Sequence, residues 1–179
     1  MPGPIETEIK LRMPDAQMAR QAVRDLGARL VRPRHFEENL VLDDRSASLS
    51  AAGELLRLRR TDTGGVLTFK GRRADVDGLK RRAELEAAVP SPDALEAVLR
   101  ALGYGTVFRY QKYRETWQWE DVEIVVDETP LGTFLEVEGP PDGIHRAAAA
   151  LGRGPEDYIS DSYAALFFAS GGTGDMVFP

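Results

Sequence analysis

The chain has no cysteine among its 179 residues and only two histidines, His35 and His145. The absence of cysteine excludes disulfides, thiolate metal sites and thiol nucleophiles, and it suits a reducing compartment. The two histidines are far apart in the sequence and lack the spacing of metal ligands, so each is predicted to be a surface residue. A metal site in this chain would have to depend on oxygen ligands.

Long apolar runs are also missing. No segment approaches the length of a membrane-spanning helix, and the N-terminus reaches an acidic stretch within six residues without a signal segment. We therefore expect a cytoplasmic protein with no membrane partner. The net charge of -6 and the pI near 5.1 predict that the molecule as a whole repels nucleic acid. An anionic ligand would need a locally basic site.

The composition that is present is that of a globular protein. A hydrophobic content of 42% in a chain of this length fits one domain that buries a core without disulfides or structural metal. We predict a single domain over residues 1–169. The last ten residues, SGGTGDMVFP, are predicted to be a flexible tail over 170–179.

Helices and strands are marked by periodicity and by turn residues. One helix is predicted from Pro14-Asp15 to Gly27 and another from Ser91-Pro92 to Gly103, each with an apolar stripe. Weaker helices are predicted over 143–151 and 155–168. Strands are predicted over 5–12, 37–43, 54–60, 65–70, 80–89, 107–118, 121–127 and 133–138.

The two halves of the chain resemble each other. Glu6-x-Glu8 recurs 78 residues later as Glu84-x-Glu86, and Pro14-Asp15 recurs as Pro92-Asp93 at the start of a second amphipathic helix. Each half therefore predicts a strand, a helix and about three more strands. We expect an α+β fold: an eight-stranded antiparallel closed β-barrel, with an internal two-fold repeat and helices packed outside.

Charged residues alternate with apolar or small ones along most of the predicted strands. In IETEIKL, residues 5–11, Glu6, Glu8 and Lys10 share one face of a strand, because side chains alternate with a period of two. Alone, this pattern is typical of a surface strand. However, helices with apolar stripes need an apolar outer wall to cover, and an outer-membrane barrel would not carry such helices. The pattern therefore favours a barrel with a charged lumen.

A charged lumen is costly unless its groups are paired or bind ions. Carboxylates without histidine or cysteine suit a hard divalent cation, Mg²⁺ or Mn²⁺. Rows of arginine and lysine suit phosphate oxygens. Together they predict a site for a metal-bound polyphosphate, where the protein positions the chain and neutralises charge without a side-chain nucleophile.

With these motifs in view, the sequence resembles the CYTH family, also called triphosphate tunnel metalloenzymes, and is most similar to its class IV adenylyl cyclase-like branch. The family signature ExExK is present as Glu6-Thr7-Glu8-Ile9-Lys10. Further blocks are LRLR (56–59), TFKG (68–71), RAELE (82–86), KYR (112–114), the acidic pattern from Asp127 to Glu138, and Ser162-Tyr163.

The resemblance implies a tunnel enzyme with one or two Mg²⁺ or Mn²⁺ ions. The implied metal ligands are Glu6, Glu8, Asp127, Glu136 and Glu138, and the implied catalytic set is Glu6, Glu8, Lys10, Glu136 and Glu138. The implied phosphate-binding residues are Lys10, Arg57, Arg59, Lys70, Arg82, Lys112 and Arg114. Glu84 and Glu86 would complete the network of the lumen. A structural salt bridge is the alternative role for each of these residues.

The reaction stays open between hydrolysis and cyclisation. Hydrolysis of inorganic triphosphate or thiamine triphosphate is favoured, because it demands less of the site. A class IV adenylyl cyclase, which converts ATP to cyclic AMP and pyrophosphate, needs the same carboxylates and bases. A catalytically silent polyphosphate or nucleotide-binding module is the third reading. The expected partner is a small-molecule triphosphate, and a homodimer is an open expectation.

Overall fold

The computed structural model describes residues 4–179, so the first three residues of the predicted domain lie outside the described part. The strands are β1 (Ile5–Met13), β2 (Arg29–Asp43), β3 (Leu55–Thr61), β4 (Gly64–Lys70), β5 (Ala74–Val76), β6 (Leu79–Val89), β7 (Gly105–Trp119), β8 (Val122–Thr129) and β9 (Gly132–Glu138). The α-helices are α1 (Ala16–Asp25), α2 (Ser48–Ala52), α3 (Pro92–Ala101), α4 (Pro141–Ala150) and α5 (Tyr163–Ala169). Between residues 4 and 179 no helix has the length and apolar character needed to cross a membrane.

Eight of the strands form one antiparallel ring. Their order is β1-β9-β8-β7-β2-β3-β4-β6, and β6 pairs back onto β1 through Ile5–Ala83 and Glu8–Lys80. The short strand β5 pairs with β6 alone. The predicted eight-stranded barrel with helices outside is confirmed, and β5 is an addition that the sequence pattern did not indicate.

The internal repeat is visible in the topology. Both halves run strand, helix and three strands, as β1-α1-β2-β3-β4 and β6-α3-β7-β8-β9, and the first half has the short helix α2 inserted between β2 and β3. The ring is symmetric under this correspondence, since β1 pairs with β9 as β6 pairs with β4, and β2 pairs with β7 at the boundary. The glutamates of the repeated ExE motif therefore lie on equivalent strands.

Apolar residues on the outer faces of the strands hold the helices. Ile9 and Leu11 of β1 are fully buried with Ala19 and Val23 of α1, in a cluster that also includes α4. Leu58 and its neighbours on β2 and β3 pack in the same way under α3. Because the outer wall is covered by apolar packing, the alternate residues of the same strands face the lumen.

The segment after α4 differs from its prediction. A continuous helix over 155–168 is wrong: a short 3-10 turn covers Pro155–Asp157, and the backbone then extends before α5 begins. In the extended part, Ile159 and Lys10 exchange two backbone hydrogen bonds of 2.9 Å. These bonds replace the intrahelical hydrogen bonds that a continuous helix would make. Helix α2 lies in a segment that carried no helix prediction.

In the last ten residues, for which the sequence predicts a flexible tail, Asp175, Met176 and Phe178 contact β7. Met176 is fully buried beside Phe108 and Tyr110, and its backbone bonds to Arg109 and Gln111 at 2.9 Å. This part of β7 has no β8 partner, since β8 pairs with β7 only from Tyr113 onward. The tail therefore covers an otherwise open strand edge.

Candidate active site in the lumen

The lumen contains a cavity of about 690 Å³ with charged walls. Inward-facing residues from all eight ring strands contribute, because each strand turns alternate side chains inward. Predicted site residues that line the cavity are Glu6, Glu8, Lys10, Arg57, Arg59, Lys70, Arg82, Glu84, Glu86, Lys112, Arg114, Glu136 and Glu138. The structure thus gathers the predicted set around one space, with the exception of Asp127.

Three of the predicted carboxylates form a compact acidic group, called here the carboxylate triad: Glu6, Glu8 and Glu138. Glu8 on β1 stands directly opposite Glu138 on β9, and one oxygen from each of the three lies within 4.8 Å of the others. Carboxylate oxygens are the ligands that these hard divalent cations prefer. The residues present fit a Mg²⁺ or Mn²⁺ ion.

The electrostatics of the triad are unbalanced. Burial and the neighbouring carboxylates of Glu6 and Glu8 raise the pKa of Glu138 to about 8. Burial alone would raise the pKa of Glu8 as well, but the ammonium groups of Lys10 and Lys80 hold it below its ordinary value. Glu138 is therefore the member of the triad with the least cationic compensation, as expected where a cation is to bind.

Three lysines surround the triad. Lys10 bridges Glu8 at 3.1 Å and Glu136 at 3.0 Å, and it is 2% exposed. Lys70 contacts Glu6 at 2.5 Å and a further carboxylate, Glu84, at 3.1 Å. Lys80 contacts Glu8 from the other side. These ammonium groups pair with Glu6 and Glu8, whereas Glu138 has no ion-pair partner within 4.0 Å among residues 4–179.

The bases on the opposite strands form a second wall. Arg57 donates hydrogen bonds to Tyr110 and Thr68, each at 3.3 Å, and Arg59 lies 3.4 Å from the buried carboxylate of Glu37. Buried arginines held in this way present preset donors to an anionic ligand. Lys112 and Arg114 complete this wall from β7.

Asp127 lies apart from the triad. Its carboxylate is fully buried and accepts hydrogen bonds from Lys112 at 2.9 Å, from Arg114 at 2.8 and 2.6 Å, and from the Tyr163 hydroxyl at 2.8 Å. Glu136 likewise contacts basic residues, Lys10 and Arg114. Of the five implied metal ligands, the structure brings three together and places the other two among bases that are predicted to bind phosphate.

The remaining predicted residues, Arg82, Glu84 and Glu86, lie on β6 and line the same cavity. Arg82 donates to the backbone oxygens of Gly71 at 2.7 Å and Gly53 at 3.0 Å, so its guanidinium also fixes two turns. Glu86 accepts from Thr68 at 2.8 Å. Burial and a hydrogen bond with Glu6 raise the pKa of Glu84 to about 7.

Several lumen residues were missed by sequence reasoning. Lys80 and Glu37 occupy inward positions of β6 and β2, and both are nearly fully buried. On β6, Lys80 shares the parity of the predicted residue Arg82, which was the available signal, whereas β2 carried no predicted site residue that could indicate Glu37. Tyr163 also lies at the site: it starts α5, closes one end of the lumen against Phe134 and donates to Asp127. Ser162-Tyr163 is one of the sequence blocks that carry the family resemblance, but the sequence assigns it no role.

Comparison with known proteins gives a consistent picture. The sequence model of the CYTH domain matches residues 4–159. A protein of Methanocaldococcus jannaschii named as a candidate adenylate cyclase is 29% identical over 135 residues, which cover 75% of this chain and 76% of that protein.

Two solved structures share the fold. A candidate adenylate cyclase from Vibrio parahaemolyticus aligns with a TM-score of 0.80 at 18% identity, covering 93% of this chain and 99% of that one. A Hippeastrum protein, described as a candidate adenylyl cyclase with a dominant triphosphatase activity, aligns with a TM-score of 0.70 at 20% identity, covering 94% and 96%.

Proposed function

The chain belongs to the CYTH domain family, and on that premise we propose that it is a divalent-metal-dependent enzyme that hydrolyses inorganic triphosphate or thiamine triphosphate inside its tunnel. The observation that carries the proposal is the placement of the carboxylate triad and the basic wall around one cavity. Carboxylates alone suit a metal ion and bases alone suit an anion, whereas both together suit a metal-bound polyphosphate.

The residues of the site take distinct parts in this function. Glu6, Glu8 and Glu138 would hold a Mg²⁺ or Mn²⁺ ion, which supplies charge neutralisation at the phosphoryl oxygens and orients water for attack. Lys112 and Arg114, fixed by Asp127, hold phosphate oxygens from the other side of the cavity.

Lys10 lies between these two groups. It contacts Glu8 of the triad and Glu136 beside Arg114, so it would neutralise charge where the scissile phosphoryl group lies. Hydrolysis requires no nucleophile from the protein, because water attacks, and positioning and charge neutralisation lower the barrier for phosphoryl transfer.

Cyclisation of ATP is a second candidate function. It is favoured by the relative from Methanocaldococcus jannaschii, which carries an adenylate cyclase name. The same metal and bases would serve it, but attack would occur at the phosphorus nearest the ribose. The Hippeastrum protein illustrates that triphosphatase activity accompanies this fold in a protein with a cyclase name. A binding module without catalysis is the remaining alternative.

One series of incubations distinguishes the three candidate functions: hydrolysis, cyclisation and binding without catalysis. The protein is given Mg²⁺ or Mn²⁺ with inorganic triphosphate, thiamine triphosphate or ATP, and released phosphate, pyrophosphate and cyclic AMP are measured. Phosphate release from either of the first two substrates supports the proposal. Formation of cyclic AMP with pyrophosphate supports cyclisation, and no turnover of any substrate supports the binding module. Glu8→Gln, which removes one carboxylate of the triad, should abolish metal-dependent turnover, and Glu156→Gln, which alters an exposed carboxylate outside the lumen, is its control.

A further inference from the structure

Lys80 lies at the seam where the barrel closes. The pairing of β1 with β6 sets it directly opposite Glu8, and its ammonium contacts the Glu8 carboxylate. The side chain is 6% exposed and lines the same cavity as the triad. Glu8 therefore has Glu138 across one strand boundary and Lys80 across the other.

Lys80 has fewer acidic partners than the two lysines beside it. Lys10 contacts both Glu8 and Glu136, and Lys70 contacts two carboxylates as well. Within residues 4–179, Glu8 is the only carboxylate within 4.0 Å of the Lys80 nitrogen. If Glu8 turns to a metal ion, Lys10 keeps an acidic partner and Lys80 loses its own.

A buried ammonium without an acceptor is unfavourable, and here it would face two further ammonium groups. A phosphate oxygen in the cavity is an acceptor within the reach of a flexible lysine stem. We propose that Lys80 competes with the metal ion for Glu8 in the substrate-free protein, and that it binds a phosphate oxygen of the triphosphate once the ion holds Glu8.

This inference rests on the proposed function, and it assigns Lys80 a substrate-binding role that couples the two ligands. In the substrate-free protein Lys80 weakens metal binding, because the ion has to displace a charge-assisted hydrogen bond. In the ternary complex it strengthens triphosphate binding. A lysine that serves only the stability of the barrel would leave triphosphate binding to the metal-loaded protein unchanged.

The test compares Lys80→Met with the wild-type protein by isothermal titration, which needs no turnover. Without triphosphate, the variant is expected to bind Mg²⁺ about tenfold more tightly, the scale of one charge-assisted hydrogen bond. With saturating Mg²⁺, it is expected to bind a non-hydrolysable imido analogue of triphosphate about tenfold more weakly. Lys80→Arg, which keeps a cation at this position, should restore analogue binding.

Arg81→Met is the matched control. It removes a cation from the next residue of β6, which points to the opposite face of the strand, and it should change neither affinity. Unchanged or weaker Mg²⁺ binding by Lys80→Met, or unchanged analogue binding, overturns the inference. If that variant loses its cooperative thermal transition, Lys80→Gln carries the same expectations. A wild-type protein that binds neither ligand overturns the proposed function itself.

Discussion

Tyr163→Phe tests whether α5 closes the lumen through Asp127. Tyr163 is 5% exposed, and its hydroxyl donates to the fully buried Asp127 carboxylate at 2.8 Å. Burial and the Asp127 carboxylate raise the pKa of this phenol well above its usual range, so the hydroxyl stays a donor at neutral pH. The variant removes one oxygen and keeps the ring that packs on Phe134.

The size of the stability loss in Tyr163→Phe depends on the hydrogen-bond donors that Asp127 keeps. A hydrogen bond to a charged acceptor contributes about 1.5–3 kcal/mol. Asp127 keeps Lys112 and Arg114 as donors, so its charge is not left unpaired, and we expect the lower end of that range. The free energy of unfolding should fall by about 1.5 kcal/mol, which for a chain of this size lowers the melting temperature by about 3–6 °C.

Urea unfolding of the metal-free protein measures this difference. The midpoint should fall while the slope stays constant, since the change exposes no new surface on unfolding. Tyr158→Phe is the control, because that hydroxyl bonds to the ring of His145 at 3.0 Å and lies nearer the surface. Equal losses in the two variants, or no loss in Tyr163→Phe, would refute the view that α5 is anchored through Asp127.

Three further predictions concern the charges of the lumen. Glu8→Gln should abolish both Mg²⁺ binding and metal-dependent turnover, and near-normal activity would remove Glu8 from the metal site. Asp127→Asn should leave Mg²⁺ affinity near that of the wild type and weaken triphosphate binding about tenfold, because Lys112 and Arg114 lose their anchor; a selective loss of Mg²⁺ affinity would instead make Asp127 a ligand.

The third prediction concerns pH. A carboxyl whose pKa is higher in the folded than in the unfolded chain binds more protons when folded, so stability falls as pH rises. The pKa of Glu138 is about 8, and the melting temperature in EDTA should therefore fall between about pH 5 and pH 8. Glu138→Gln should flatten this fall, and an unchanged slope would assign it to other groups.

The sequence could predict the barrel because its signals are local. Alternation in IETEIKL distinguishes the two faces of a strand, and the apolar stripes of the helices show which face is the outer wall. The repeat then supplies the number of strands. These signals do not reach the segment from residue 155 onward, where a bridge to Lys10 and an open edge of β7 determine the path of the chain.

The grouping of charges inside the lumen could not be read in the same way. Parity predicts that a side chain points inward, but cross-strand register decides which side chains meet. Asp127 stands opposite Arg114 on one side and Phe134 on the other, whereas Glu138 stands opposite Glu8. Along β9, Phe134 and Glu138 are four residues apart, so Asp127 is at a different depth from the triad and meets bases instead.

The separation of the two carboxylate groups bears on why the lumen is stable before any ligand binds. Asp127 and Glu136 neutralise Lys112, Arg114 and Lys10, so these three bases, which are predicted to bind phosphate, are held in place by carboxylates of the protein itself. In the triad, Glu6 and Glu8 are compensated instead by lysines on flexible stems, and Glu138 has no ion-pair partner among the described residues. Under the proposed function, a metal ion would replace a lysine at the triad, and the released ammonium would then bind a phosphate oxygen. The metal ion would release an ammonium group, and the triphosphate would supply the acceptor for it. The binding of metal and the binding of triphosphate should therefore favour each other.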